Sequence, residues 1–217
     1  DAWQKWSEGI RRYIPTNYDQ YGPFRIGPSF PLYFQKKVDI PDAWYAHFGK
    51  GIVIPEYHQI DDHPDHLRVN VEIESLKEML QLWKQGNESL KEAIRLTPAE
   101  KQEEAQRLLG LNQFIVHTVQ TVIHTKQWWK LKQALFKAAD QESVDAIIAQ
   151  MEQLAELEIA NAEATIPLVN ADSRLGWEPS MEYMTDEEHL RWKIAQVREV
   201  LQSELPQYRE SARAKLS

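Results

Sequence analysis

The sequence predicts an all-α fold, an up-and-down bundle of three to four long helices, and three observations lead there. Apolar residues recur at helical spacing through most of residues 67–217. Glycine is scarce: there are eight in 217 residues, and four of those fall between residues 15 and 66. The breaks between periodic segments are short and polar, and short connections between long helices make antiparallel neighbours.

Taken in order, Trp3, Trp6 and Ile10 predict a short N-terminal helix. From Val69, the residues Ile73, Leu76, Leu80, Trp83, Leu90 and Ile94 share one stripe and define the first long helix. Thr97-Pro98-Ala99-Glu100 has the form of a capping box with proline at the first helical position, so a second helix is expected to start there. It carries Leu108, Ile115, Val122, Trp129 and Phe136 at seven-residue spacing and is expected to run to about Ala139. Asp140 to Ser143 is a polar break and a fresh start. Val144, Ile148, Met151, Ala155, Ile159, Ala162 and Ile166 then form a third stripe, expected to stop at Pro167. Thr185-Asp186-Glu187-Glu188 reads as a second capping box, ahead of Leu190, Ile194, Val197, Leu201, Leu205 and Tyr208, with Pro206 expected to kink or end that helix.

Residues 15–66 break the pattern, holding seven of the eleven prolines. The expected organisation is therefore an N-terminal helix and a long irregular, aromatic and Pro-rich segment over 1–66, packed on an antiparallel bundle over 67–217 with a loop at 167–184. Irregular segments longer than about 12–15 residues tend to carry function, so these two tracts are where a site is sought.

Composition removes several function classes. The net charge is −8, without a run of Lys or Arg to offset it, which disfavours nucleic acid as a partner. No apolar stretch approaches the roughly 20 residues of a membrane span. Without cysteine there is no thiolate catalysis, thiolate metal site or disulfide. The chain opens on Asp1 with no signal-like apolar run and is expected to be a piece or processed product of a longer protein.

In the first tract Tyr18, Tyr21, Phe24, Phe30, Tyr33 and Phe34 surround Arg25, which lies between two Gly-Pro turns. Aromatic faces beside a guanidinium suit a sugar or a carboxylate; the competing use of the same rings is to cover the bundle. The second tract offers Asp172, Arg174, Trp177, Glu178 and Glu182. Glu178 and Glu182 have the chemistry of a general acid and base, while Asp172 paired with Arg174 would simply hold the turn, anchored by Trp177. His58, Asp61, Asp62, His63, Asp65 and His66 use divalent-metal vocabulary, but their spacing matches no established ligand pattern. A solvated acidic loop is the default there, and neither a metal nor a cofactor is assigned.

The middle helix adds a different signal. Leu111 to Thr125 contains no charged residue, and Gln113, His117, Gln120, His124 and Gln127 line the side opposite the apolar stripe. A solvent-facing stripe normally carries Glu and Lys. This one is expected to meet neighbouring helices, a polar ligand or another domain.

"QYGPFRIGPSFPL" and "NAEATIPLVNADSRLGWEPSMEYMTDEEHLRWK" resemble segments in the C-terminal helical part of large bacterial glycan-processing proteins with a family-20-like or α-glucuronidase-like glycosidase barrel. The resemblance implies an upstream catalytic domain in the same chain, secretion or a periplasmic location, and no catalytic residue within these 217 positions. It gives Arg25 and the loop around Arg174 and Trp177 a place near the glycan or the barrel, and Tyr21, Phe24 and Glu178 join them as candidate ligand contacts. The expected function is a non-catalytic accessory domain of a carbohydrate-active enzyme, with glycan and the catalytic domain as partners. Two alternatives stay open: a self-standing module that homodimerises through Gln113, His117, Gln120 and His124, and a small glycosidase-like hydrolase using the loop carboxylates. A cytoplasmic location also stays open.

Overall fold

The computed structural model describes residues 1–13, 26–34, 66–178 and 183–216. It is an all-α fold. Helix α1 spans Ala2–Arg12, α2 His66–Arg95, α3 Gln102–Phe136, α4 Gln141–Ala171, α5 Glu187–Glu199 and α6 Leu205–Leu216. A π-helical turn, Val200–Glu204, joins α5 to α6 without a break. A two-residue antiparallel ladder, β1 (Trp177–Glu178) with β2 (Tyr183–Met184), closes the connection between α4 and α5.

Polar cross-links show that consecutive helices run antiparallel. The Trp6 indole donates to the Trp83 carbonyl and to Asn87 Oδ1, while Ser75 near the other end of α2 donates to the Arg12 carbonyl. Trp83 Nε1 donates to Asn112 and Lys126 to Glu72, binding α2 to α3. His117 meets Asn161 and His124 meets Glu158 between α3 and α4. Asn170 bonds Glu187, and Arg209 pairs with Asp145 and Glu152, along α4 and the α5–α6 rod. Each helix thus packs on its neighbours in sequence.

Residues 26–34 form an extended strap across this array. Ile26 and Phe30 belong to the cluster built by α1, α2 and α3, whereas Leu32 and Phe34 belong to the cluster built by α3, α4, α5 and α6. None of the four is more than 6% exposed, so each contributes about 1.5–3 kcal/mol of burial. The strap stitches two apolar cores together.

Several boundaries differ from expectation for identifiable reasons. The Thr97–Glu100 capping box does not form: Thr97 Oγ1 donates back to the Ala93 carbonyl, residues Ala99–Lys101 make a 3₁₀ turn, and α3 begins at Gln102. The same helix stops at Phe136, short of Ala139, and Phe136 is 47% exposed. Asp186, not Thr185, caps α5, accepting the His189 amide. Pro167 lies inside α4, which continues to Ala171, so the connecting loop starts later than residue 167. Pro206 does not end the last helix. The preceding π turn, in which the Leu205 amide reaches back five residues to the Val200 carbonyl, shifts the register ahead of the ring that has no N–H to give.

Candidate functional site

The centre of the molecule is ionic. Glu158, on the inner side of α4, is 0% exposed and accepts three donors: Thr121 Oγ1 at 2.6 Å, His124 Nδ1 at 2.5 Å, and Lys193 Nζ from α5. Lys193, also 0% exposed, gives a further hydrogen bond to the Pro28 carbonyl at 2.6 Å. On the far side of the His124 ring, the Gln120 side-chain amide meets Nε2 at 2.8 Å. Burial alone would raise the Glu158 carboxyl, but the Lys193 charge and the His124 hydrogen bond outweigh it and hold the group below its ordinary value. Burial lowers Lys193, and Glu158 opposes that only in part.

A second buried pair, Lys126 with Glu72 at 2.9 Å, holds the opposite side of α3 to α2. These four charged residues stand on positions that belong to apolar stripes. Glu72 is three residues after Val69 and four before Leu76; Lys126 is four after Val122; Glu158 is seven after Met151; Lys193 is three after Leu190 and four before Val197. An acid and a base, each on the inward stripe of adjacent helices, is the signal that sequence reading passed over.

The strap meets the second irregular tract directly. Ser29 Oγ donates to the Met184 carbonyl at 2.6 Å and shares a hydrogen bond with Thr185 Oγ1 at 3.0 Å. Gln196 of α5 binds Leu32 as a strand would, accepting its amide proton at 3.2 Å and donating to its carbonyl at 2.9 Å. The Trp128 indole donates to the Tyr33 carbonyl at 2.6 Å. Gly176 turns the chain into β1 with φ +77, a conformation that favours glycine, and a Cβ there would lie 2.3 Å from the Thr185 carbonyl oxygen. Ser29 of the strap and Gly176, Met184 and Thr185 of the hairpin turn therefore meet at the end of α5 that Asp186 caps.

The predicted site residues fall as follows. Arg174 is exposed and forks onto Asp172 in its own turn, at 2.8 and 2.6 Å, and its hydrogen bonds bring the Asp172 carboxyl down to about 2. Trp177 and Glu178 pair through their backbones with Met184 and Tyr183; their side chains lie outside the described structure. Tyr18, Tyr21, Phe24, Arg25, the 58–65 part of the His/Asp cluster and Glu182 lie outside the described residues. On α3, His124 is buried, while Gln113, His117 and Gln120 are half-buried. His117 and His124 spend Nδ1 on α4, and Gln120 lines a groove of about 490 Å³ between α2 and α3.

Chemically, this acid–base cluster is closed. An ionised carboxylate with zero exposure and three donors neither meets a substrate nor supplies a proton. Asp172, held down to about 2, is likewise ionised and unsuited to act as an acid at neutral pH. Among the described residues, no three His, Asp or Glu side chains converge as a metal would need. None of their helices is long and apolar enough to cross a membrane. No protein-family model, curated protein or solved structure matches this chain.

Proposed function

We propose that the chain is a non-catalytic helical module of a carbohydrate-active enzyme, whose two irregular tracts combine into one surface for the catalytic domain and its glycan. The observation that carries this reading is the hydrogen bonding of Ser29 to Met184 and Thr185. It joins the two tracts whose sequences resemble glycan-processing proteins, although 155 residues separate them in the chain. Lys193 and Gln196 brace the same strap from beneath, so the segments entering and leaving it start from fixed points. The closed state of Glu158 supports a structural role over a catalytic one.

Calorimetric titration with neutral and acidic oligosaccharides tests this. Saturable binding is expected, weakened about tenfold by Arg25→Ala or Trp177→Ala, the loss of about 1.4 kcal/mol that one stacked or charge-assisted contact supplies, with helicity unchanged by circular dichroism. Absence of binding to every oligosaccharide, or unaltered affinity in both variants, overturns the reading.

A further inference from the structure

The solvent-exposed side of α2 carries a regular pattern of charge. Glu74 pairs with Lys77 at 2.8 Å and Glu88 with Lys91 at 2.7 Å, each across one helical turn. These four side chains are 42–71% exposed. Exposed pairs of this kind hold little energy of their own, so each pair is free to take on further charges without giving up much.

The groove of about 490 Å³ that α2 shares with α3 runs from one pair to the other. Lys77, Leu80, Gln81, Lys84, Gln85 and Glu88 form its α2 wall, so one end of the groove is a cation and the other a carboxylate. Gln120, Ile123 and Gln127 form the α3 wall, which carries no charge. Of Gln113, His117, Gln120 and His124, only Gln120 lines it; His117 and His124 turn to α4.

This pattern is its own complement when α2 is laid antiparallel on a second α2. A twofold axis level with the Leu82–Trp83 peptide brings Lys77 of each copy opposite Glu88 of the other, and Glu74 opposite Lys91. Each intrahelical pair then joins its counterpart in a ring of four alternating charges, and the twofold axis makes two such rings. Gln81 falls opposite Lys84 near the axis. Parallel pairing in register would instead set Lys77 on Lys77 and Glu88 on Glu88.

We propose that this face of α2, with the groove beside it, is a homodimer contact whose occupant is the same face of a second copy, antiparallel to the first. From Glu74 to Lys91 the contact runs along roughly 27 Å of helix. It relies on exposed charges around a narrow apolar floor of Leu80 and Ile123, which makes a weak, salt-sensitive dimer rather than an obligate one. It uses none of the residues on which the glycan reading rests and stands or falls without it.

Sedimentation equilibrium of the chain over a range of concentrations tests the proposal. A monomer–dimer equilibrium is expected, with Kd on the order of 100 μM at low salt and at least about tenfold weaker in about 0.5 M salt. Lys77→Glu and Glu88→Lys each set like charges against each other twice across the axis, and each is expected to weaken self-association at least about tenfold with helicity unchanged by circular dichroism. An equimolar mixture of these two variants restores opposite charges at both positions and is expected to associate within about threefold of the parent. Lys101→Glu and Glu104→Lys, exposed changes of the same charge at the start of α3, are expected to leave the parent equilibrium unaltered, alone or mixed. A chain that stays monomeric throughout, a mixture that associates no better than its components, or an equal loss in the α3 variants overturns it.

Discussion

Lys193 and Glu158 form an ion pair in which both side chains are 0% exposed. Neither charge reaches the solvent surface, so each depends on the other and on the groups around them: Thr121 and His124 for the carboxylate, the Pro28 carbonyl for the ammonium. The pair joins α4 to α5, and its third arm reaches the strap.

Removing one partner strands the other. Glu158→Gln is expected to destabilise the fold by about 3–5 kcal/mol, because Lys193 stays buried without its counter-charge. The double variant Glu158→Gln, Lys193→Met is expected to recover a large part of that loss. Urea denaturation at pH 7 measures both.

The same carboxylate sets a pH dependence. Its folded pKa lies below the ordinary value of 4.5, so as pH falls below 4.5 the unfolded chain takes up protons that the folded chain refuses. Stability from this group is fully present above the unfolded value and is lost as pH drops through the folded one. Glu158→Gln should flatten the acid limb of a stability profile recorded by urea titration at successive pH values.

Two helical glycines should respond in opposite ways. A Cβ on Gly86 would stand 2.4 Å from Trp6 Nε1, in the seam where α1 lies on α2. Gly86→Ala is expected to cost about 1–3 kcal/mol by overpacking and to lift Trp6 off Asn87. A Cβ on Gly110 meets nothing within 4 Å, so Gly110→Ala should add about 0.5–1 kcal/mol. Thermal unfolding of the two variants checks the contrast.

Gln196 is the only side chain in the described structure that satisfies both backbone groups of Leu32, a residue with 0% exposure. Gln196→Ala leaves a donor and an acceptor buried without partners, a loss of about 1–3 kcal/mol for each. Gln196→Glu keeps the acceptor for the amide but loses the donor, and should fall between parent and alanine variant in a urea denaturation series.

The helices were legible because their apolar residues repeat: Val69 to Ile94 and Val144 to Ile159 are buried along one stripe each, as periodicity alone requires. Helix ends were read less well, since they depend on which side chain wins a backbone group. Thr185 has the form of a cap, yet its hydroxyl goes to Ser29 across the fold and Asp186 takes the capping role. The uncharged run on α3 announced contacts on both sides of that helix but not their identity. Partners such as Glu158 and Lys193 sit 35 residues apart on different helices, and no local pattern pairs them. Arg174 was legible both as a ligand contact and as half of a turn with Asp172. Its fork rests on Asp172.

The central claim is that the strap and the second tract are one cooperative unit fastened through Lys193. Native-state hydrogen exchange at the amides of Leu32 and Thr185 tests it most directly, since the first is bound to Gln196 and the second to the Gly176 carbonyl at 2.7 Å. Both amides are expected to open with the same free energy in the parent protein and to lose protection together in Lys193→Met. Coil-like exchange at Leu32, or loss at Leu32 while Thr185 keeps its protection, would contradict it.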